Sequence, residues 1–542
     1  MSDWNSLPYS IVLATTAGLI SFFLYFHKGE HHLLAPLYLK AFVVVNLAST
    51  AALVYFGNST ICNASFNVAM VAGSWLLGVL GSCFIWRAFF NPLNKFPGPW
   101  MARISKFYMS YLLRNIDAYY TLTELHAKYG QYVRLGPNDL SIVDPDAIPL
   151  AYGPNATVTK SEWYDAGAPH HSMHTVRDKA VHDRRRRYWA PAFSDKALRD
   201  YEGIMQDFNA KLLKRIDEFQ GGPVNVTKWF NLYSFDVMGR LAFGKDFSML
   251  DSGERHWALK LLTDAMATGA LQPPMWAFRV AVDIPFLTAG YHKFIQFCTD
   301  QTEWRVARGD KDGNRDITGW ILKAYEGHEH PGQDPYLVGD ARLIIVAGSD
   351  TSAATLTYLF YHLALDPSQT EKLRAELKPL VTDGWSDKDI QHAKHLNAVI
   401  NETLRLHPPV PSGVSRKTAN EGLQIGDVYV PGNVHFVIPQ YPMGRDESIY
   451  AEASSFVPER WYSKPGMIKH ADAFAPFSKG PYNCIGANLA RMELRTLITQ
   501  LVMKYDVAFA AGEDGTRLLT KTRDHFTLTL GQLDLAFTLA KH

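Results

Sequence analysis

Apolar residues crowd the start of the chain, where residues 8–26, 41–63 and 66–86 carry no charge. A bilayer crossing needs roughly 20 consecutive apolar residues. The three runs therefore predict membrane spans over about 8–26, 41–60 and 66–86, with residues 1–93 as an anchor. A secretory signal would account for the first run alone, but no basic residue precedes it and two more apolar runs follow. Buried helices of a soluble domain are the competing reading for the shorter runs. Lys28 and Lys40 flank the first link, and Arg87, Lys95, Arg103 and Lys106 follow the third run, whereas the 57–65 link has no Lys or Arg. The bias of basic residues toward the cytosol then places the remainder of the chain on that side. Asn58 and Asn63 open glycosylation sequons in the opposite, lumenal link.

Beyond the runs the pattern changes. Residues 94–105 include Phe96-Pro97-Gly98-Pro99, which predicts a stiff hinge. From residue 106 to 542 a period near 3.6 dominates and predicts helices over 121–129, 195–219, 254–263, 291–307, 337–365, 368–381 and 390–406. Short alternating runs at 132–135, 140–143 and 428–430 predict strands, and 309–316 and 326–334 are polar loops. The fold expected is one large, mainly α domain with a small β portion behind the anchor.

Composition narrows this little further. The chain has 542 residues, 47% of them hydrophobic, and a net charge of +1, which gives no electrostatic basis for a nucleic-acid partner. Its four cysteines, Cys62, Cys83, Cys298 and Cys484, are too few and scattered for a disulfide framework or a zinc knuckle.

Candidate chemistry begins at Cys484, in Phe477-Ser478-Lys479-Gly480-Pro481-Tyr482-Asn483-Cys484-Ile485-Gly486. Glycines on both sides let the backbone approach a bulky group, and the helix that follows presents its positive end to the thiol and favours the thiolate. Such a thiolate suits an axial position on haem iron; a lone cysteine is otherwise an inert core residue. Glu402 and Arg405 lie three apart on one helix face, and Arg460 in Phe456-Val457-Pro458-Glu459-Arg460-Trp461 could complete an ion network. Ala347-Gly348-Ser349-Asp350-Thr351 sets an acid and a hydroxyl in a long apolar helix, with Gly348 as a weak point. The plain alternative is a surface Asp beside a Thr bonded to its own turn.

In this order along the chain the motifs resemble those of the membrane-bound cytochrome P450 haem-thiolate monooxygenases, and the three-span anchor with its Pro-Gly-Pro hinge is similar to fungal members of natural-product pathways. The resemblance implies haem b, O2 and NADPH-derived electrons delivered by a flavoprotein reductase. It further implies an apolar, polycyclic small-molecule substrate, and an endoplasmic reticulum membrane with the catalytic domain in the cytosol. Cys484 would be the axial ligand, Gly480 and Gly486 would bring backbone N–H groups to its sulfur, and Phe477 would pack on the thiolate side of the haem. Asp350 and Thr351 would relay protons to dioxygen. Glu402, Arg405 and Arg460 would be structural.

Two positions depart from the family pattern. Tyr482 stands where an arginine or histidine is usual, and His182 where a tryptophan is usual, while Arg186 is kept. Propionate binding would then rest on Arg186 and Arg416, aided by Tyr482 and His182. Arg184 to Arg187 form either a docking face for the reductase or an ordinary solvated face. Substrate contacts are expected from the loop 161–175, with Trp163, Tyr164 and Met173, and from Val346 and Ala347; core packing is the alternative for each. Desaturation, oxidative coupling or isomerisation on the same scaffold, and a non-catalytic haem carrier or sensor, remain open beside hydroxylation.

Overall fold

A computed structural model describes residues 7–309, 316–327 and 331–541. The chain forms two compact units, the first comprising Met1–Tyr111, Val133–Leu140 and Gln272–Thr288, the second Leu112–Tyr132, Ser141–Leu271 and Ala289–His542.

In the first unit, the uncharged runs form α1 (Leu7–Ser21), α2 (Ala35–Tyr55) and α3 (Ile61–Ile85). A π-helical turn follows α1 at Phe22–Phe26 and another follows α3 at Trp86–Phe90. The second helix starts earlier than the charge pattern suggests, because Lys40 is accommodated within it by pairing with Asp283 at 2.5 Å. The following link is short, and Asn63 already lies in the first turn of α3, capped by Thr60. Helices α1 and α3 touch backbone to backbone: a Cβ on Gly18 would lie 2.2 Å from the Trp75 carbonyl, and one on Gly78 equally close to that of Thr15. Close approach through small residues is how apolar helices associate in lipid. These three helices, with the long helix Pro335–Leu365, are the described ones long and apolar enough to cross a membrane. Pro335–Leu365 is two-thirds buried and the others at most 17%, so it is a core helix and they are the ones suited to an anchor.

The hinge is not a free linker. Arg134, fully buried, donates to Asn94 Oδ1 at 2.5 Å, Gly136 O at 3.0 Å and Pro137 O at 2.9 Å, and its own N–H meets Pro97 O. Gly98 is required there, since a Cβ would sit 2.5 Å from the Arg134 carbonyl.

The second unit is mostly helical. Its main elements are α4 (Lys179–Trp189), α5 (Asp195–Glu218), α6 (Val226–Phe243), α7 (Pro335–Leu365), α8 (Lys394–Leu406) and α9 (Ala487–Lys504). Helix α6 escapes the periodicity argument because thirteen of its 18 residues are buried, so it has no polar stripe. It packs along α7, which runs without interruption through Gly348. The expected weak point is instead a contact: a Cβ on Gly348 would meet the Met238 side chain of α6 at 2.5 Å. The helix expected over 254–263 lies at Trp257–Ala270, and that over 390–406 begins only at Lys394. The predicted strands appear at Tyr132–Gly136, Asp139–Ile142 and Val428–Val430. Thr159–Lys160, Arg416–Lys417 and His435–Val437 pair antiparallel, with Lys160 directly opposite Arg416. Parts of both polar loops, residues 310–315 and 328–330, lie outside the described residues.

Where α7 and α8 end, His362 and His407 meet with their Nε2 atoms 3.0 Å apart. His362 is stacked on Phe456, and His407 on Tyr358 at 4.0 Å. One ring must donate and the other accept, which two neutral rings can do. Burial, then the neighbouring Arg445 and Arg405, lowers His362 from 6.5 to about 3, and His407 is also held well below its ordinary value. Neutral burial contributes stability above pH 6.5 that is lost as the pH falls toward 3. Urea unfolding should show stability declining by about 1.4 kcal/mol per pH unit for each ring as the pH falls below 6.5, with the decline reduced in His362→Phe.

Candidate active site

The cysteine loop is closed by its own backbone, as the Cys484 N–H donates to Phe477 O at 2.8 Å. The loop ends at Gly486, the N-cap of α9. Gly480 has φ +64°, and a Cβ there would lie 2.2 Å from the Tyr152 carbonyl. It seats the loop on that residue, and the Gly486 backbone lies close enough to the Cys484 sulfur to favour its thiolate. Phe477 is half-buried under the Arg491 guanidinium. Arg186 on α4 clasps Asn483, donating to its carbonyl at 2.9 Å and to its side-chain oxygen. Arg186 thus reaches the cysteine loop, the region where the sequence places a propionate partner.

Burial raises the Cys484 thiol above its ordinary range, against the Gly486 N–H and Arg186, which lower it. The loop backbone and Arg186 thus act in the direction the sequence suggested, toward the thiolate, while burial opposes them.

On α7, Thr351 Oγ1 donates to Ala347 O at 2.8 Å, so its lone pairs are what it offers. Asp350 makes no bond to Thr351. Its carboxylate accepts from Thr527 Oγ1 at 3.2 Å, and burial raises it to about 6 despite Arg255, Thr527 and Asn231. A carboxyl with that value holds or yields a proton near neutral pH.

Glu402 is fully buried and receives two bonds from Arg405, at 2.9 and 2.7 Å, and one from Arg460 at 2.9 Å. Trp461 Nε1 and the Val457 N–H complete its shell. The arginines use further donors on the carbonyls of Ala451, Glu452, Ala453 and Ser455.

The residues expected to touch substrate separate. Val346 and Trp163 are half-buried, and Ala347 is exposed within an otherwise buried helix. Tyr164 is buried, and its hydroxyl accepts from Arg416 at 3.1 Å. Met173 is a core residue whose N–H donates to Asp340 Oδ1. The same Asp340 accepts from Arg185 and Trp189, and Gly339 leaves no room for a Cβ beneath the His171 carbonyl. Of the four arginines on α4, Arg185 is thus an internal pin and Arg186 faces the cysteine, leaving Arg184 and Arg187 exposed. Phe526, which motif reasoning missed, stacks on Trp163 at 5.0 Å from the tip of the hairpin Arg523–His525/Thr527–Thr529. Its φ of +84° is unusual for a bulky residue and the one local signal of a constrained tip.

The donor set fits a haem. Cys484 is a free and accessible cysteine, so its sulfur can take a ligand. Arg416 Nε and the Tyr482 hydroxyl are buried and unpartnered, as donors awaiting carboxylates would be. His182 packs edge-on against Tyr482 at 4.6 Å.

Residues 104–533 match the Cytochrome P450 family, and the chain belongs to that family. It is 43% identical to the cytochrome P450 monooxygenase lcsK of Purpureocillium lilacinum over 97% of both chains. It is 42% identical to tryprostatin B 6-hydroxylase of Aspergillus fumigatus over 96% of both, and 41% identical to the monooxygenase notG' of Aspergillus versicolor over 98% of this chain and 99% of the relative. The protein is therefore a haem-dependent monooxygenase of the type found in fungal secondary metabolism, using dioxygen and reductase-supplied electrons on a small molecule. A non-catalytic haem carrier finds no support among these relatives.

Proposed function

We propose that the chain holds haem b through Cys484 and hydroxylates an apolar, polycyclic metabolite. The observation that carries this is the accessible Cys484 in a loop shaped by Gly480 and clasped by Arg186 through Asn483. When bound, the haem supplies the oxygen-activating chemistry. Thr351 would offer its lone pairs as hydrogen-bond acceptors, and Asp350 would hold a proton for delivery to the site. Phe477 covers the thiolate side. Arg416, Tyr482 and His182 bind the carboxylate edge, and Glu402, Arg405 and Arg460 keep the surrounding fold. Ala347, Val346, Trp163 and Phe526 line the substrate side. Tyr164 and Met173 act one layer behind it, through Arg416 and Asp340.

NADPH is the electron source through a flavoprotein reductase, and exposed Arg184 and Arg187 give that partner a basic docking edge. Residues 1–93 anchor the enzyme in the endoplasmic reticulum membrane with the domain 106–542 in the cytosol, in keeping with the basic residues that follow α3. Hydroxylation is favoured over desaturation, coupling or isomerisation because two of the relatives are named as 6-hydroxylases. Tryprostatin B is accordingly the first substrate to assay.

Reduction of the purified protein under carbon monoxide should give the strongly red-shifted Soret band of a thiolate-ligated haem, and Cys484→Ser should abolish it. A wild-type protein without that band, or a variant that keeps it, would remove Cys484 as ligand.

A further inference from the structure

Lys160 and Arg416 are directly opposed residues of one antiparallel strand pair. They are 3% and 2% exposed, so two cationic side chains lie side by side away from water, and burial, then Arg416, holds the Lys160 ammonium well below its ordinary range until an anion joins them. Like charges facing across a strand pair are destabilising, and burial magnifies the effect. Among the described residues neither has a carboxylate partner. Lys160 Nζ donates only to main-chain carbonyls, those of Met173, His174 and Val176 at 3.1, 2.7 and 3.0 Å. Arg416 donates to Tyr164 Oη and Ser415 O, and its Nε has no partner. Asp183, which favours the lysine charge, is already bonded to Lys179 at 2.5 Å. Between the two cations stands Tyr482, its ring 5.0 Å from Lys160 Nζ and 5.3 Å from the Arg416 guanidinium, and its buried hydroxyl is unpartnered.

Resting on the haem reading above, we infer that Lys160 supplies the positive charge missing from position 482, and that Tyr482 transmits it as a hydrogen-bond donor to a haem propionate. A cation over a phenol ring draws electron density from it and strengthens its hydroxyl as a donor. Lysine on the neighbouring strand and tyrosine in the cysteine loop together do what a single arginine in that loop would do. Because Lys160 also grips the carbonyls of Met173, His174 and Val176, the same charge ties the end of the 161–175 loop to the haem edge.

The test uses the full-length holoenzyme and follows haem transfer to excess apomyoglobin, a readout independent of turnover. Lys160→Met should lose haem about tenfold faster, equivalent to about 1.4 kcal/mol, while Lys160→Arg stays close to wild type. In a Tyr482→Phe background the Lys160→Met effect should shrink, since its transmitter is gone. Equal haem loss in Lys160→Met and wild type would overturn the inference. Equal acceleration in Lys160→Met and Lys160→Arg would do so too, because the lysine would then be only a loop pin. Neither result touches the haem-thiolate reading, which fails separately if the wild-type protein lacks the red-shifted band.

Discussion

Glu402→Ala is expected to yield a chain that does not accumulate as a haem protein. Glu402 is fully buried and receives hydrogen bonds from Arg405, Arg460, Trp461 and Val457. Removing the carboxylate leaves two buried guanidinium groups facing each other with no anion between them. Breaking a buried ion pair in this way costs about 3–5 kcal/mol, against a total stability of about 5–15 kcal/mol for a typical domain. The carbonyls of Ala451, Glu452, Ala453 and Ser455 also depend on these arginines, so the segment that Arg460 belongs to loosens with them. The ratio of Soret to protein absorbance after solubilisation, with the thermal midpoint, measures the effect. Wild-type values for both would show that the network is dispensable.

The second large effect is expected at Thr351. Thr351→Ala should retain haem and the carbon monoxide band, because the hydroxyl bonds only to the carbonyl of its own turn at Ala347. On the proposed function, it removes the acceptor that would organise proton delivery. General acid catalysis contributes about a hundredfold or more, so hydroxylated product per NADPH should fall by about that factor, with hydrogen peroxide rising in its place. Tryprostatin B, or whichever metabolite gives a substrate-binding spectral shift, serves as the probe. Unchanged coupling would exclude Thr351 from the relay and leave Asp350, bonded to Thr527 and poised near pH 6, to act through other groups.

Much of the architecture is legible from local pattern. Three uncharged runs become helices α1 to α3, and the long apolar stretch with an acid-alcohol pair becomes α7. Helix α6 is not legible, because an element buried on nearly every side shows no alternation for periodicity to detect. Gly348 misleads for a related reason: the sequence shows a missing side chain, and only packing shows that Met238 takes its place. At the site, residues with a dedicated chemistry in a fixed spacing, Cys484, Glu402 with Arg405, and Asp350 with Thr351, can be singled out from one sequence. Lys160, Phe526 and Thr527 cannot. Lys160 and Arg416 are more than two hundred and fifty positions apart, and become neighbours only through a two-residue strand pair. The four consecutive arginines show the same limit from the other side. Their sequence is uniform, yet helical geometry sends Arg185 into the Asp340 carboxylate, Arg186 to Asn483, and the other two outward.

The Asp340 knot has a consequence for how such an enzyme diversifies. It fastens the far end of the 161–175 loop to the helix that carries Asp350 and Thr351, through the Met173 N–H and the close seat of His171 on Gly339. On the proposed function, the stretch between that foot and the strand at Lys160 is where metabolite choice would be revised, within the limits set by Tyr164 on Arg416 and by Gly167 against Arg342 of α7. A lineage would then vary what it oxidises in one short stretch of loop while the Asp340 foot is kept.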